Sequence, residues 1–266
     1  MAATTYTGYI YTSTDSGATW TERTSAGSRN WLSIASSSDG TKLAAAAYNG
    51  YIYTSTDSGA TWAERTSAGS RYWRAIASSS DGTKLVAANN SGYIYTSADS
   101  GATWTERTNS GSRYWYTVVS SSDGTKLAAG VNGGYIYTSA DSGATWTERT
   151  GAGSMSWFSI ASSSAGTKLA AVAYSGYIYT STDSGATWTE RTGTGSGNWF
   201  GITSSSDGTR LAAAINGGYI YTSADSGATW IKRANAGFKN WTAIASSSDG
   251  TRLTAVESDR YIYTSP

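Results

Sequence analysis

The chain has 266 residues, among them 12 Trp, 20 Tyr, 31 Gly and one Pro, with neither Cys nor His and a net charge of +1. That length holds one large domain with a sizeable core, while the missing residue types exclude disulfides, thiolate nucleophiles, cysteine-type metal sites and the commonest general base. Without a basic cluster, nucleic acid is not an expected partner, and no apolar run approaches the roughly 20 residues that span a bilayer, so membrane insertion is not expected either.

Residues 1–5 lack the basic and apolar regions of a secretory signal, which fits a soluble chain or the mature part of a secreted one. A strict period then takes over. Gly-Tyr-Ile-Tyr falls at Gly8, Gly50, Gly92, Gly134, Gly176 and Gly218, always 42 residues apart, and Arg260-Tyr-Ile-Tyr keeps the phase. Fixed self-similarity at this spacing marks a propeller blade or a solenoid coil.

One period reads as four short strands. The first covers residues 31–37 (WLSIASS), with Leu32 and Ile34 expected on one face and Trp31 on the other. A Ser-Asp-Gly-Thr turn follows, where Gly40 supplies a positive φ and Asp39 accepts backbone N–H bonds. The second strand is 42–47 (KLAAAA), joined through a tight turn at Asn49-Gly50 to the third, 51–55 (YIYTS). The turn from Asp57 to Gly59 delivers the fourth, 61–66 (TWAERT).

No segment has helical periodicity, so the expected class is all-β. Ala-rich strands flanked by Trp and Tyr suit sheets packed on both faces, and four-stranded antiparallel sheets stacked around an axis make a β-propeller. The expected domain spans residues 1–266. Six periods leave a 14-residue overlap of the termini. Six blades, closed by mixing N- and C-terminal strands, is the preferred count, with seven as runner-up; the chain is expected to be a monomer, with strand exchange through the surplus terminal strand as an option.

The segment Ser13-Thr-Asp15-Ser-Gly17-Ala-Thr19-Trp20 resembles the Asp-box, or bacterial neuraminidase repeat, Ser-x-Asp-x-Gly-x-Thr-Trp. It recurs in register as Asp57, Gly59 and Trp62; Asp99, Gly101 and Trp104; Asp141, Gly143 and Trp146; Asp183, Gly185 and Trp188; and Asp225, Gly227 and Trp230. The roles expected of these residues are structural: Asp satisfies turn amides, Gly adopts the left-handed conformation, and Trp anchors the hairpin. The resemblance implies a propeller with the box between the third and fourth strands of each blade, on a scaffold shared by sialidases, other glycosidases, sorting-receptor ectodomains and photosystem assembly factors. It also implies an extracellular or cell-surface setting.

Sorting the 18 acidic residues by repeat position leaves little for chemistry. Six belong to the boxes, five to Asp-Gly-Thr turns (Asp39, Asp81, Asp123, Asp207 and Asp249), and five to the Thr-Trp-x-Glu-Arg strand (Glu22, Glu64, Glu106, Glu148 and Glu190). Only Glu257 and Asp259 stand outside these series. A glycosidase wants two facing carboxylates in distinct environments, and a sialidase-like site would have to be built around Glu257. The expectation is therefore of no catalytic residue, no enzyme, no cofactor and no metal, since each turn Asp stands alone whereas calcium wants six or more converging oxygens.

Comparing the repeats with each other shows where they differ. One variable stretch flanks the first-strand Trp and carries Arg29 and Asn30, Arg71, Tyr72 and Arg74, Arg113, Tyr114 and Tyr116, Asn198 and Asn240. The other is the turn between the second and third strands, carrying Tyr48, Asn90, Asn132, Tyr174 and Asn216. In an up-and-down blade both emerge on one face. Tyr, Asn and Arg there can stack on sugar rings and bond hydroxyls in shallow, multivalent sites. The expected function is binding, with glycan as first ligand and a protein as alternative partner; a scaffold amplified from one blade, with no specific ligand, is the competing reading. The first-strand Trp residues are expected to pack between blades.

Overall fold

The computed structural model describes residues 1–258 and 261–265; Asp259 and Arg260 lie outside the described residues. The chain forms two compact units, Met1–Leu127 with Ser139–Trp146, and Ala128–Thr138 with Thr147–Pro266.

The first unit opens with a three-stranded sheet of β1 (Ala2–Thr4), β2 (Ile10–Thr12) and β3 (Thr21–Arg23). A four-stranded antiparallel sheet follows, made of β4 (Trp31–Ser36), β5 (Leu43–Gly50), β6 (Ile52–Ser55) and β7 (Ala63–Arg65). The next is β8 (Arg71–Ser78), β9 (Leu85–Gly92), β10 (Ile94–Ser97) and β11 (Thr105–Arg107), and then comes β12 (Arg113–Ser120). The second unit holds β13 (Leu127–Val131) and β14 (Ile136–Ser139) apart from their end residues Leu127 and Ser139, then β15 (Thr147–Arg149) and the sheet of β16 (Trp157–Ser162), β17 (Leu169–Ala173), β18 (Ile178–Ser181) and β19 (Thr189–Arg191). The sheet of β20 (Trp199–Ser204), β21 (Leu211–Gly218), β22 (Ile220–Ser223) and β23 (Ile231–Arg233) follows, and β24 (Lys239–Ser246), β25 (Leu253–Glu257) and β26 (Ile262–Thr264) complete the unit as a three-stranded sheet.

Packing between sheets follows from the small second strand. Ala44, Ala46 and Ile52 of one sheet meet Trp73, Ile76, Leu85, Ala87 and Tyr95 of the next in a single cluster. Alanine leaves room for the indole, and all six first-strand tryptophans are fully or almost fully buried. Each of five meets the third-strand tyrosine of its own sheet edge-on, as Trp73 meets Tyr95 at 5.1 Å between centroids, a geometry that the ring quadrupoles favour.

Three features differ from the sequence reading. First, Trp31 pairs with Ala47 but Ser33 pairs with Ala46, so Leu32 is a β-bulge. That extra residue brings Ile34 onto the face of Trp31, with which it packs, instead of the opposite face. Second, each fourth strand runs into a single turn of 3-10 helix, as at Thr66–Ala68, stopped by Gly69 at φ 75°. Third, β25 takes β26 as its outer neighbour and β1 pairs with β2, in place of a sheet mixed from both ends of the chain. The cause is register, since Ala255 faces Tyr263 as Ala45 faces Tyr53.

The box turns fold as their chemistry dictates. Asp57 accepts the amide of Thr61 at 2.8 Å and its hydroxyl at 2.6 Å, Gly59 donates its amide to Ser55 Oγ, and Trp62 Nε1 donates to the Gly59 carbonyl. The turn lies between the third and fourth strands of its sheet, and the Ser58 amide ties it to the Asp-Gly-Thr turn through the Thr41 carbonyl. Both turn types thus occupy the end of the sheet opposite the turn that joins β5 to β6.

Candidate functional site

That opposite end is built from a joint between sheets. At Tyr48-Asn49-Gly50 the chain closes a hairpin, with the Ala47 amide donating to the Tyr51 carbonyl, while β5 continues and pairs with β8, Tyr48 against Tyr72 and Gly50 against Arg71. Asn49 accepts the tight geometry with φ 56°, a conformation asparagine tolerates. The Tyr48 amide also donates to the Asn30 carbonyl. Side chains from one sheet and the next are thereby set in a row.

In the first unit the row runs Asn30, Tyr48, Tyr72, Asn90 and Tyr114, since Tyr114 pairs with Asn90 as Tyr72 pairs with Tyr48. The Tyr48 and Tyr72 rings lie 5.2 Å apart, and Tyr72 and Tyr114 are 47% and 61% exposed. In the second unit the Tyr174 amide donates to the Ser156 carbonyl, Ser175 donates to Asn198 Oδ1, the Asn216 amide donates to the Asn198 carbonyl, and Asn216 pairs with Asn240. This row runs Ser156, Tyr174, Asn198, Asn216 and Asn240. Asn132 is exposed just beyond β13.

A second row comes from the bulges. Residues 32, 74, 158, 200 and 242 are the unpaired residues between a first-strand Trp and the next paired residue. A bulge re-aims its side chain, and this position differs from repeat to repeat. Arg74 lies over the Tyr116 ring at 3.8 Å, and Phe158 stacks with Tyr174 at 5.2 Å and meets Phe200 at 5.1 Å. In the sequence Phe158 and Phe200 fall at the same variable position as Arg74 and Tyr116, but only Arg74 and Tyr116 were expected to bind ligand. Their shared position after the buried Trp was the available signal.

Not every arginine of the variable stretch faces outward. Arg29 donates from Nε to the Ala26 carbonyl, lies over the Tyr53 ring at 4.7 Å and pairs with Glu64 at 3.7 Å. Arg71 repeats this with Ala68, Tyr95 and Glu106. Arg113 donates to the Ser110 carbonyl. Arg29 and Arg71 thus tie the start of a first strand to the third and fourth strands of its own sheet, with Tyr53 and Tyr95 donating their hydroxyls to the same two glutamates. Burial, and after it the bond to Glu64, pushes the Tyr53 phenol well above its usual range.

The carboxylates lie elsewhere. The box and Asp-Gly-Thr aspartates occupy the far turns, and hydroxyl and amide donors hold Asp57 down to about 2 and Asp39 likewise. Glu257 accepts the Tyr263 hydroxyl at 2.9 Å and pairs with Lys239 at 3.4 Å. Among the described residues no group of three His, Cys, Asp or Glu side chains is arranged to hold a metal.

No family model and no curated protein sequence matches the chain. Solved structures do. The GH74 xyloglucanase of Xanthomonas campestris superposes over 99% of this chain with TM-score 0.75 at 17% identity, and YCF48 of Cyanidioschyzon merolae over 96% with TM-score 0.73 at 17% identity. The fold is a β-propeller. The GH74 enzyme of Niastella koreensis matches over 99% of this chain with TM-score 0.66 at 18% identity, and YCF48 bound to D1 peptide over 88% with TM-score 0.67 at 17% identity. The chain spans 49% and 42% of the length of the two enzymes, and 87% and 77% of the two YCF48 chains.

These neighbours overturn one expectation. The sequence reading held that the chain is not an enzyme, whereas the propeller it forms is one that GH74 glycoside hydrolases also use. At this identity the likeness is one of fold.

Proposed function

We propose that the chain is a binding module that holds an extended glycan along the row of Tyr and Asn side chains where successive sheets join. The observation that carries the reading is the order Asn30, Tyr48, Tyr72, Asn90 and Tyr114, in which the half-buried Tyr48 and the exposed Tyr72 and Tyr114 share one line with two amides. A phenol ring offers an apolar face to the C–H side of a sugar, and its hydroxyl and the neighbouring amide offer donors and acceptors to sugar hydroxyls. Neighbouring positions across a strand pair lie about 5 Å apart, so one chain can touch several of them. Individually weak contacts repeated along one ligand add up as avidity. The propeller shared with a xyloglucanase supports a polysaccharide and suggests xyloglucan oligosaccharides among the probes.

A peptide is the second reading, supported by a specific neighbour, YCF48 bound to D1 peptide. Here the Arg74 and Tyr116 stack would add a cation and a ring to the row. A panel of β-linked oligosaccharides, xyloglucan fragments included, is screened beside a peptide array, with cleavage products analysed in the same wells. The proposal expects glycan retention that falls at least tenfold in the Tyr72→Ala, Tyr114→Ala double variant. Retention of peptides alone would favour the second reading, and retention of neither would overturn both.

A further inference from the structure

In the complete sheets, every box turn has a fixed receptor. The Cβ that an alanine would place at Gly101 comes within 2.8 Å of Thr54 in the preceding sheet and 3.2 Å of Leu85 in its own. Trp104 packs on the first-strand Trp73 at 6.5 Å. From the 3-10 turn of the preceding sheet, Ser67 donates to the Ala102 carbonyl, and one period later Asn109 does the same to Ala144. Lys84 and Lys168 reach the box serines Ser142 and Ser226. A box turn and its fourth strand thus fill the groove between two sheets, leaving about 10 Å³ beside Ser100 and about 240 Å³ beside Ser142.

Between the sheet of β20–β23 and that of β24–β26, within the second unit, the same groove has a volume of about 820 Å³. Thr222, Leu253, Trp241, Asn235 and Arg210 line it, and they are the period equivalents of Thr54, Leu85, Trp73, Ser67 and Lys84. All five groups that receive a box are in place. β26 pairs with β25 on one edge, and its other edge is where a fourth strand attaches in the complete sheets, as β7 attaches to β6. Ser265 occupies the first position of a box, but its Oγ accepts the Leu253 amide at 2.8 Å in place of a box glycine amide. The sheet of β1–β3 is the complement: among the described residues it carries a box and a fourth strand but no first strand, and so no first-strand Trp of its own for Trp20.

We propose that this groove is an acceptor for the box segment of a second copy of the chain, residues 13–26, with β3 of that copy adding to the free edge of β26. The register follows from the pairs Ile10 with Arg23 and Thr12 with Thr21: Arg23 of the donor faces Ile262 and donates from Nε to Thr264, as it now does to Thr12. Glu22 takes the Tyr263 hydroxyl that Tyr11 now offers it. Trp20 covers Trp241 and Gly17 sits between Thr222 and Leu253. Donor and acceptor are different segments of the chain, so the contact is head-to-tail and extends beyond two copies unless the arrangement closes.

Sedimentation velocity of the full chain over about a hundredfold range of concentration tests this, together with a synthetic peptide of residues 12–27 and the same peptide carrying Trp20→Ala and Asp15→Ala. The proposal expects mass to rise with concentration, the native peptide to suppress that rise, and the altered peptide to need at least a tenfold higher concentration. The full-length Trp20→Ala variant, with its thermal melt checked, should stay monomeric while still binding the native peptide. A mass independent of concentration overturns the proposal, even if the peptide binds, because the groove then serves something other than a second copy. Association that neither the peptide nor Trp20→Ala reduces overturns it as well, placing the interface elsewhere.

Discussion

The Tyr263 hydroxyl donates to Glu257 at 2.9 Å, whereas in earlier repeats the same tyrosine gives its hydroxyl to a fourth-strand glutamate, as Tyr179 does to Glu190. Among the described residues no fourth strand pairs with β26, and Glu257, one of two acids outside the repeat series, supplies the acceptor from β25. Lys239 stands where Arg29 and Arg71 stand, over the tyrosine ring and against the carboxylate. Glu257→Ala should therefore lower unfolding free energy by about 1–3 kcal/mol, the range for losing a partly buried bond to a charged group, and Glu257→Gln by less. Urea unfolding measures both, and an unchanged midpoint for Glu257→Ala would show the cluster to be idle.

The turn aspartates predict the acid limit of stability. Thr, Ser and backbone donors hold Asp15, Asp57, Asp99, Asp183 and Asp225 to about 2, below the ordinary 3.8. Asp39, Asp123 and Asp249 in the other turn series are held to about 2 as well. A folded-state value below the unfolded one contributes stability that is fully present above the unfolded value and is lost as pH falls through the folded one. Thermal melting should be flat above pH about 5 and decline steeply between about 4 and 2. A midpoint that stays level through that window would contradict the hydrogen-bonded turns.

Glycine at the box is set by space as well as by conformation. Gly101 has φ 86° and a substituent there would strike Thr54 of the preceding sheet, whereas Gly151 has open space around it and needs no positive φ. Gly101→Ala should cost about 1–3 kcal/mol, the range for an enforced left-handed residue, with the clash adding to it. Gly151→Ala should be neutral or slightly stabilising, about 0.4–1 kcal/mol through the unfolded chain. Equal effects of the two, in denaturant titrations, would contradict the packed groove.

Much of this architecture was legible because the repeat is uniform. The box residues, the two turns and the four strands per period follow from alternation and turn chemistry that act over a few residues. The bulge was not legible, since a run such as Trp73-Arg74-Ala75-Ile76 alternates equally well with or without an extra residue, and only the pairing of Trp73 with Asn89 and Ala75 with Ala88 reveals it. For the same reason Arg71 and Tyr72 looked alike as ligand groups. Tertiary packing separates them, turning Arg71 onto Tyr95 and leaving Tyr72 at the surface.

Tyr72 and Tyr114 should be replaceable without loss of fold. Both are exposed at the sheet joints, and surface substitutions of this kind usually stay within about 0.5 kcal/mol. Trp73→Ala, by contrast, empties a fully buried site and should cost about 3–5 kcal/mol. Melting of the two variants side by side separates surface from frame.

The 42-residue repeat builds the propeller, and the proposed ligand row lies along the joints where repeats differ. Titrating oligosaccharides into the chain carrying ring-labelled tyrosine, with NMR resonances followed one by one, tests it most directly. The account predicts that Tyr48, Tyr72 and Tyr114 shift together and saturably while the brace residues Tyr53 and Tyr95 do not. Shifts confined to Tyr53 and Tyr95, or no shift with any glycan bound, would contradict it.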